Sequence, residues 1–372
     1  MIPNLDEQFR RIEWTKKTIE AYKQWIDGSI HDPVSWYYLG RGHYETGRYE
    51  EAIRAFEKAL ELDPQDADTW DNLGQAYDDW GKHEQAIDAL KQAVELEPGE
   101  ATFWYDLGKA YNELQCLDEA IGAYEQAIQL DPQNPYAWNS LGTIYQDQRE
   151  YDKAVSAFEK SIEANPNLAF SRYNLASTYD DLGQCQMALD HHQRALEVDP
   201  EYAYAWNGLG NAFSDLERYQ DAVTAYQKAI ELDAKFAHPW NGLGSVYRML
   251  NQQQEAIVAY EAAITIDPND VIPHIGLAGI YQHLGHKAEA AQQMIVARQL
   301  VALDDHYSRA CLEAMTGDVD SAIKHLTDAL DEHPGQRTWA RYDPDLAALR
   351  GNPRFEALVA ADSDTPETSG AS

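Results

Sequence analysis

WYYLGRGHYETGRYEEAIRAFEKALELDP, residues 36–64, returns 34 residues later as WDNLGQAYDDWGKHEQAIDALKQAVELEP (70–98). It comes back again as WYDLGKAYNELQCLDEAIGAYEQAIQLDP (104–132). A fixed period of this size marks a stacked repeat array, which grows by adding units rather than by enclosing one core. Within each period two apolar stripes run at helical spacing, one at unit positions 4, 7 and 11 and one at 20, 24 and 27. Each period is therefore two helices joined by a short polar turn such as Thr46-Gly47-Arg48, and the fold class is all-α.

Carried outward, the period defines eight units over residues 33–304, beginning at 33, 67, 101, 135, 169, 203, 237 and 271. The seventh position is Leu in all eight, from Leu39 to Leu277. The eighth is Gly except at Ala176 and Ala278, the twentieth is always Ala, and the twenty-seventh is Ala except at Ser161. Small side chains at 8 and 20 let two helix backbones approach where larger ones would wedge them apart. Asp-Pro pairs at 63–64, 131–132, 199–200 and 267–268 stop the second helix, because proline cannot continue it.

On these residues the chain resembles the tetratricopeptide repeat (TPR) family over about three-quarters of its length. The resemblance implies an α-solenoid, a right-handed superhelix with a concave inner surface, and a non-catalytic role in protein–protein interaction. Residues 1–32 are expected to form an N-terminal capping helix, with Leu5, Phe9, Ile12, Ile19, Tyr22 and Ile26 on one face. Residues 305–360 read as a degenerate ninth repeat and a C-terminal cap, since terminal units of a solenoid are atypical. Residues 361–372 have the composition of a disordered acidic tail.

The balance of 29 basic against 63 acidic residues, a formal charge of −34, repels nucleic-acid phosphates and anionic lipid. No nucleic-acid or membrane partner is expected, and no run of about 18 apolar residues suggests a span. Three dispersed cysteines, Cys116, Cys185 and Cys311, imply no disulfide framework, and the N-terminal stretch lacks the apolar core of a signal peptide. A cytoplasmic location follows. Phosphate-loop, dinucleotide and zinc-protease motifs are missing, and His191-His192 and His283 with His286 lack an evident third ligand. No catalytic residue, metal or cofactor is expected.

In the resembled family, first-helix positions 2, 5, 6, 9, 12 and 13 line the concave face. Position 13 is acidic in six successive units: Glu45, Asp79, Glu113, Asp147, Asp181 and Asp215. Position 12 adds Asp78 and Asp180, and position 5 supplies Tyr37, Asp71, Tyr105, Asn139, Tyr173, Asn207 and Asn241. Position 6 holds Tyr38, Asn72, Asp106 and Asn174 before turning to Gly208, Gly242 and Gly276, while Tyr136, Phe170 and Tyr204 occupy position 2. Acids late in a helix oppose its dipole by a few tenths of a kcal/mol each, so local helix stability does not account for the row. The groove reads as an acidic channel for a basic or polar polypeptide, whose backbone would meet amides and whose Lys or Arg would meet carboxylates. The cationic clamp by which related repeats hold acidic chaperone tails is not supported; the amides partly resemble the asparagine ladder of O-linked GlcNAc transferase. Two other functions stay open: a structural subunit joining end to end through its terminal helices, and a regulatory subunit of a separate enzyme. Arg172 and His192 stand where other units pack apolar side chains, and predict either a softer repeat or a hinge or small polar pocket.

Overall fold

Seven first helices begin 34 residues apart, each opened by a turn and closed by a residue with backbone bent to the left-handed side. This computed structural model describes residues 32–302 and 305–360, together with Lys17 and Glu20, which are helical and exposed. The expected N-terminal cap and C-terminal tail otherwise lie outside the described residues. The chain divides into two compact units, Met1–Pro166 and Asn167–Ser372. In the first unit the pairs are α1–α2 (Pro33–Glu45, Tyr49–Leu62), α3–α4 (Ala67–Asp79, His83–Leu96), α5–α6 (Ala101–Glu113, Leu117–Leu130) and α7–α8 (Pro135–Asp147, Tyr151–Ala164). The second unit continues with α9–α10 (Ala169–Asp181, Cys185–Val198), α11–α12 (Ala203–Asp215, Tyr219–Leu232), α13–α14 (Ala237–Met249, Gln253–Ile266) and α15–α16 (Ile272–His283, Lys287–Leu300). It ends with α17 (His306–Thr316), α18 (Val319–Glu332), α19 (Gln336–Tyr342), a 3₁₀ turn at Pro344–Leu349 and α20 (Pro353–Val359). The described residues contain no strand.

The small-residue positions do what their size permits. Ala52, Ala86, Ala120, Ala154, Ala188, Ala222 and Ala256 are fully buried between paired helices. A Cβ on Gly40, Gly108 or Gly142 would stand 2.6–2.7 Å from the ring of Phe56, Tyr124 or Phe158, so each glycine is the socket for the ring of its own second helix. Ser161, the exception among the alanines, is buried and donates to the Pro135 carbonyl at 2.7 Å. Its hydroxyl is thereby satisfied in an otherwise apolar seam.

Two further regularities tie neighbours together. The indole Nε1 of Trp70, Trp104, Trp138 and Trp206 donates to the carbonyl of Pro64, Pro98, Pro132 and Pro200, at 2.9–3.0 Å. The proline that stops one repeat thus presents the acceptor that anchors the next. Trp240 breaks the rule: Ala234 takes the proline's place, and the buried Nε1 has no partner. The fifteenth position of every repeat has positive φ. Gly47, Gly81, Gly183 and Gly285 adopt it freely, whereas Gln115, Arg149, Glu217 and Asn251 hold it at 58–62° against the steric preference of a side chain.

Candidate functional site

In the first unit, successive first helices meet, and several of the predicted groove residues take part in the contacts between them. Tyr44 of α1 donates to Asp79 of α3 at 2.5 Å. Lys109 of α5 reaches back to Asp78 at 3.0 Å and Asp79 at 3.4 Å, and His83 closes on the other Asp78 oxygen at 2.8 Å. Deeper on the same face the Gln75 amide bridges Asp71 and Asp106, at 2.7 and 2.9 Å. Burial, aided for Asp71 by the Asp106 charge, raises the pKa of both carboxyl groups. Asn72 spends its amide on the Asp68 carbonyl of its own helix.

What remains presented to solvent is the thirteenth-position row. Glu45, Asp79, Glu113 and Asp147 are all exposed, one per repeat, alongside exposed Tyr38 and Tyr136 and half-buried Tyr37, Tyr105 and Asn139. The acidity is partly compensated from within, chiefly by Lys109. Its ninth-position place on the face was legible, but its pairing across to α3 was not.

In the second unit the same positions have a different setting. Tyr173, Tyr202, Tyr204, Phe236 and His238 form a ladder of rings with centroids 4.8–5.9 Å apart along the chain of neighbours. Phe170 and Asn174 are half-buried on α9. Asp180, Asp181, Asn207, Asp215 and Asn241 line a chamber of about 630 Å³. The chain itself closes it: the turn at 333–336, α19 and the start of the 3₁₀ turn cross from the ninth helix pair back to α9, where Gly335 N–H donates to the Asp181 carbonyl at 3.0 Å. A Cβ on Gly335 would meet the Asp180 carbonyl at 2.0 Å, so only glycine permits this approach.

A buried ion pair fixes the other end of the roof. Arg248 of α13 holds Asp345 through both guanidinium nitrogens, at 2.8 and 2.7 Å. The two side chains are 8% and 9% exposed. Gly279 makes room for the pair, since a Cβ there would lie 2.5 Å from the Asp345 carboxylate. Beside it, Tyr307 donates to Asp343 at 2.9 Å.

The later glycines at position 6 now have a reason. A Cβ on Gly242 or Gly276 would stand 2.4 Å from the ring of Tyr226 or Tyr260, and one on Gly208 2.2 Å from His192. These rings cross between first helices and deliver polar atoms to the chamber side: Tyr226 donates to Asn211 at 2.7 Å, and Tyr260 meets Ser245 at 3.0 Å. His192, 1% exposed, pairs with Asp180 at 3.0 Å, which answers the question posed by its place in the repeat with a polar pocket. Burial raises the Asp180 pKa and, with the Asp180 charge, pushes Asp215 up to about 7.

Cys185 begins α10, and burial with nearby Asp215 pushes its thiol up to about 11. Among the described residues, His306, His325 and Asp328 are the trio within metal-binding reach of one another. The two His Nδ1 atoms face each other at 3.3 Å. Among the described residues no helix is long and apolar enough to cross a membrane.

Comparison with known proteins gives one consistent picture. Residues 133–201, 203–236 and 225–258 match tetratricopeptide repeat models, and 244–285 a TPR repeat model. Residues 5–145 match the model of the Cilia and flagella-associated protein 70 C-terminal domain. No curated protein matches in a sequence search. The crystal structure of MamA is 32% identical, covering 44% of this chain and 96% of MamA, with a TM-score of 0.42. The APC/C hetero-tetramer Cut9–Hcn1 is 21% identical, covering 76% of this chain and 55% of that one, with a TM-score of 0.54. PilF of Pseudomonas aeruginosa is 16% identical over 59% of this chain and 97% of its own, at 0.51.

Proposed function

We infer, from its membership of the tetratricopeptide repeat family, that this chain is a protein-interaction scaffold whose first unit docks a basic or polar polypeptide. Solenoids of this kind present extended surfaces built from one element per repeat. The observation that carries the finer reading is the row Glu45, Asp79, Glu113 and Asp147, four exposed carboxylates at one register of four successive repeats. Packed helices lie roughly 8–10 Å apart, close to the length of three residues of extended chain at about 3.3 Å each. A segment with Lys or Arg at every third residue therefore meets successive carboxylates, while Tyr38, Tyr105 and Tyr136 offer ring faces to its stems and charges. Lys109 sits within the row and supplies selectivity: a ligand cation must compete with it for Asp79.

Fluorescence anisotropy with extended peptides tests this. Peptides carrying Lys at every third position bind in the expected case, and permuted or Glu-substituted ones bind much more weakly. Glu113→Gln with Asp147→Asn weakens capture about tenfold and flattens its dependence on salt, because two screened ion pairs are lost. Affinity and salt slope that do not change in the double variant would remove the row from the reading.

A further inference from the structure

We propose that the roofed chamber of the second unit is a binding site for an alkylammonium group, taken up as a small organic cation. The proposal rests on second-unit residues alone, so its fate and that of the first-unit groove are separable. The charge balance of the lining comes first. Asp180, Asp215, Asp270 and Asp305 face one roofed recess; His192 partners Asp180, and the single guanidinium of the lining, Arg248, is already held by Asp345 at both nitrogens. Carboxylates drawn partly out of water repel one another, and a counter-charge relieves that cost.

Hydrogen bonding points the same way. Four buried polar atoms of the lining have no partner, and all four are acceptors: Oδ1 of Asp180, Asn207 and Asn241, and Oε1 of Gln336. Asn241 is the most telling. Its side chain is only 7% exposed, and its amide nitrogen is committed to Asp270, so the orphaned atom is an oxygen by elimination. A lining whose unsatisfied buried atoms are all acceptors favours a ligand that has only donors, which an ammonium is.

Shape and spread exclude the simplest cation. Among the described residues no three carboxylate oxygens of the chamber converge within metal-binding reach, as a bare divalent ion requires. The acids are distributed instead around walls that include Tyr226, Tyr260 and Trp339, surfaces suited to methylene stems and to cation–π contact. A volume of about 630 Å³ sits within the ordinary range for small-molecule sites. The roof between Gly335 and Asp345 favours a free di- or polyamine over a polypeptide thread, although a lysine side chain offers the same chemistry.

Isothermal titration of the full chain separates these cases. The probes are 1,5-diaminopentane, the isosteric neutral 1,5-pentanediol, magnesium chloride, and a capped Gly-Lys-Gly peptide. Saturable binding of the diamine and none of the diol is the expected result, with Asp215→Asn weakening the diamine about tenfold. Binding of the lysine peptide alone would keep the ammonium chemistry and assign its source to a polypeptide. Equal binding of diol and diamine, magnesium in place of the diamine, or no saturable amine binding at millimolar concentration would overturn the proposal. The diamine–diol contrast is measured on the unaltered chain, so it decides even if the variant fails to fold.

Discussion

Breaking the Arg248–Asp345 pair should unlatch the roof of the second unit. Arg248→Met keeps most of the side chain's volume but leaves the Asp345 carboxylate, 9% exposed, with no counter-charge. Stranding one partner of a buried, bidentate pair costs about 3–5 kcal/mol. If that cost falls on the segment from His333 to Leu349, its opening constant rises by about 10²–10³-fold, at roughly 1.4 kcal/mol per factor of ten. Hydrogen exchange of the full chain, read peptide by peptide, is the assay. Protection should fall across α19 and the 3₁₀ turn and stay unchanged in α1–α8. Arg248→Met combined with Asp345→Asn should recover much of the loss, because the stranded charge is gone. Exchange in Arg248→Met equal to the unaltered chain, or a double variant as open as the single one, would show that the roof is held by something other than this pair.

The remaining predictions use single positions. Asp215 has a pKa near 7 when folded against about 3.9 unfolded, so the native state binds the extra proton between those values. Stability should therefore fall as pH rises from 4 to 7, by at most about 1.4 kcal/mol per unit from this group, and Asp215→Asn should remove that slope in urea titrations. Ala234→Pro should gain about 0.5–1 kcal/mol by restricting the unfolded chain where other repeats already carry proline, with Trp240 fluorescence reporting whether its indole comes to bond the carbonyl of residue 234. Glu217→Gly should stabilise by about 1 kcal/mol, since φ there is 58°; thermal unfolding that is unchanged or worse would refute the strain. Gly208→Ala should cost about 1–3 kcal/mol, its Cβ displacing the His192 ring, while Gly122→Ala, with nothing within 4 Å, should gain about 0.5–1 kcal/mol.

The repeat was legible because packing inside a helix pair is local and recurs. Leu39, Gly40, Ala52 and Phe56 meet within 20 residues, and the same meeting happens in every copy, so periodicity alone exposes it. Some of the groove positions do touch between successive first helices, as in Tyr44–Asp79 and Lys109–Asp78. What could not be read was the state of each acid. Asp78 looks like Asp79 in sequence, yet one is buried between His83 and Lys109 while the other is exposed. Charge at a position predicts a face; burial and partners come from the neighbouring repeat, whose variable residues follow no period.

The roof was invisible for a stronger reason. Gly335 to Asp181 and Arg248 to Asp345 are contacts over 97 or more residues, made by a segment that has left the repeat. Their only traces are departures from pattern. Position 13 stops being acidic at Met249, position 12 becomes Arg248, position 6 turns to glycine, and position 9 of the eighth unit is Gly279. Each departure was separately explicable as drift, and together they describe a surface redesigned to receive the chain's own C-terminal segment. Helix pairs of near-identical packing therefore carry two kinds of first-helix face, one in each unit. The first unit presents its thirteenth-position carboxylates to water, where an approaching polypeptide can reach them. The second half-buries its own pair, Asp181 and Asp215, beneath the C-terminal segment, and that changes the ligand: exposed ion pairs are worth little each and reward a long partner that makes many, whereas a half-buried acidic recess rewards one small cation that satisfies several acceptors at once.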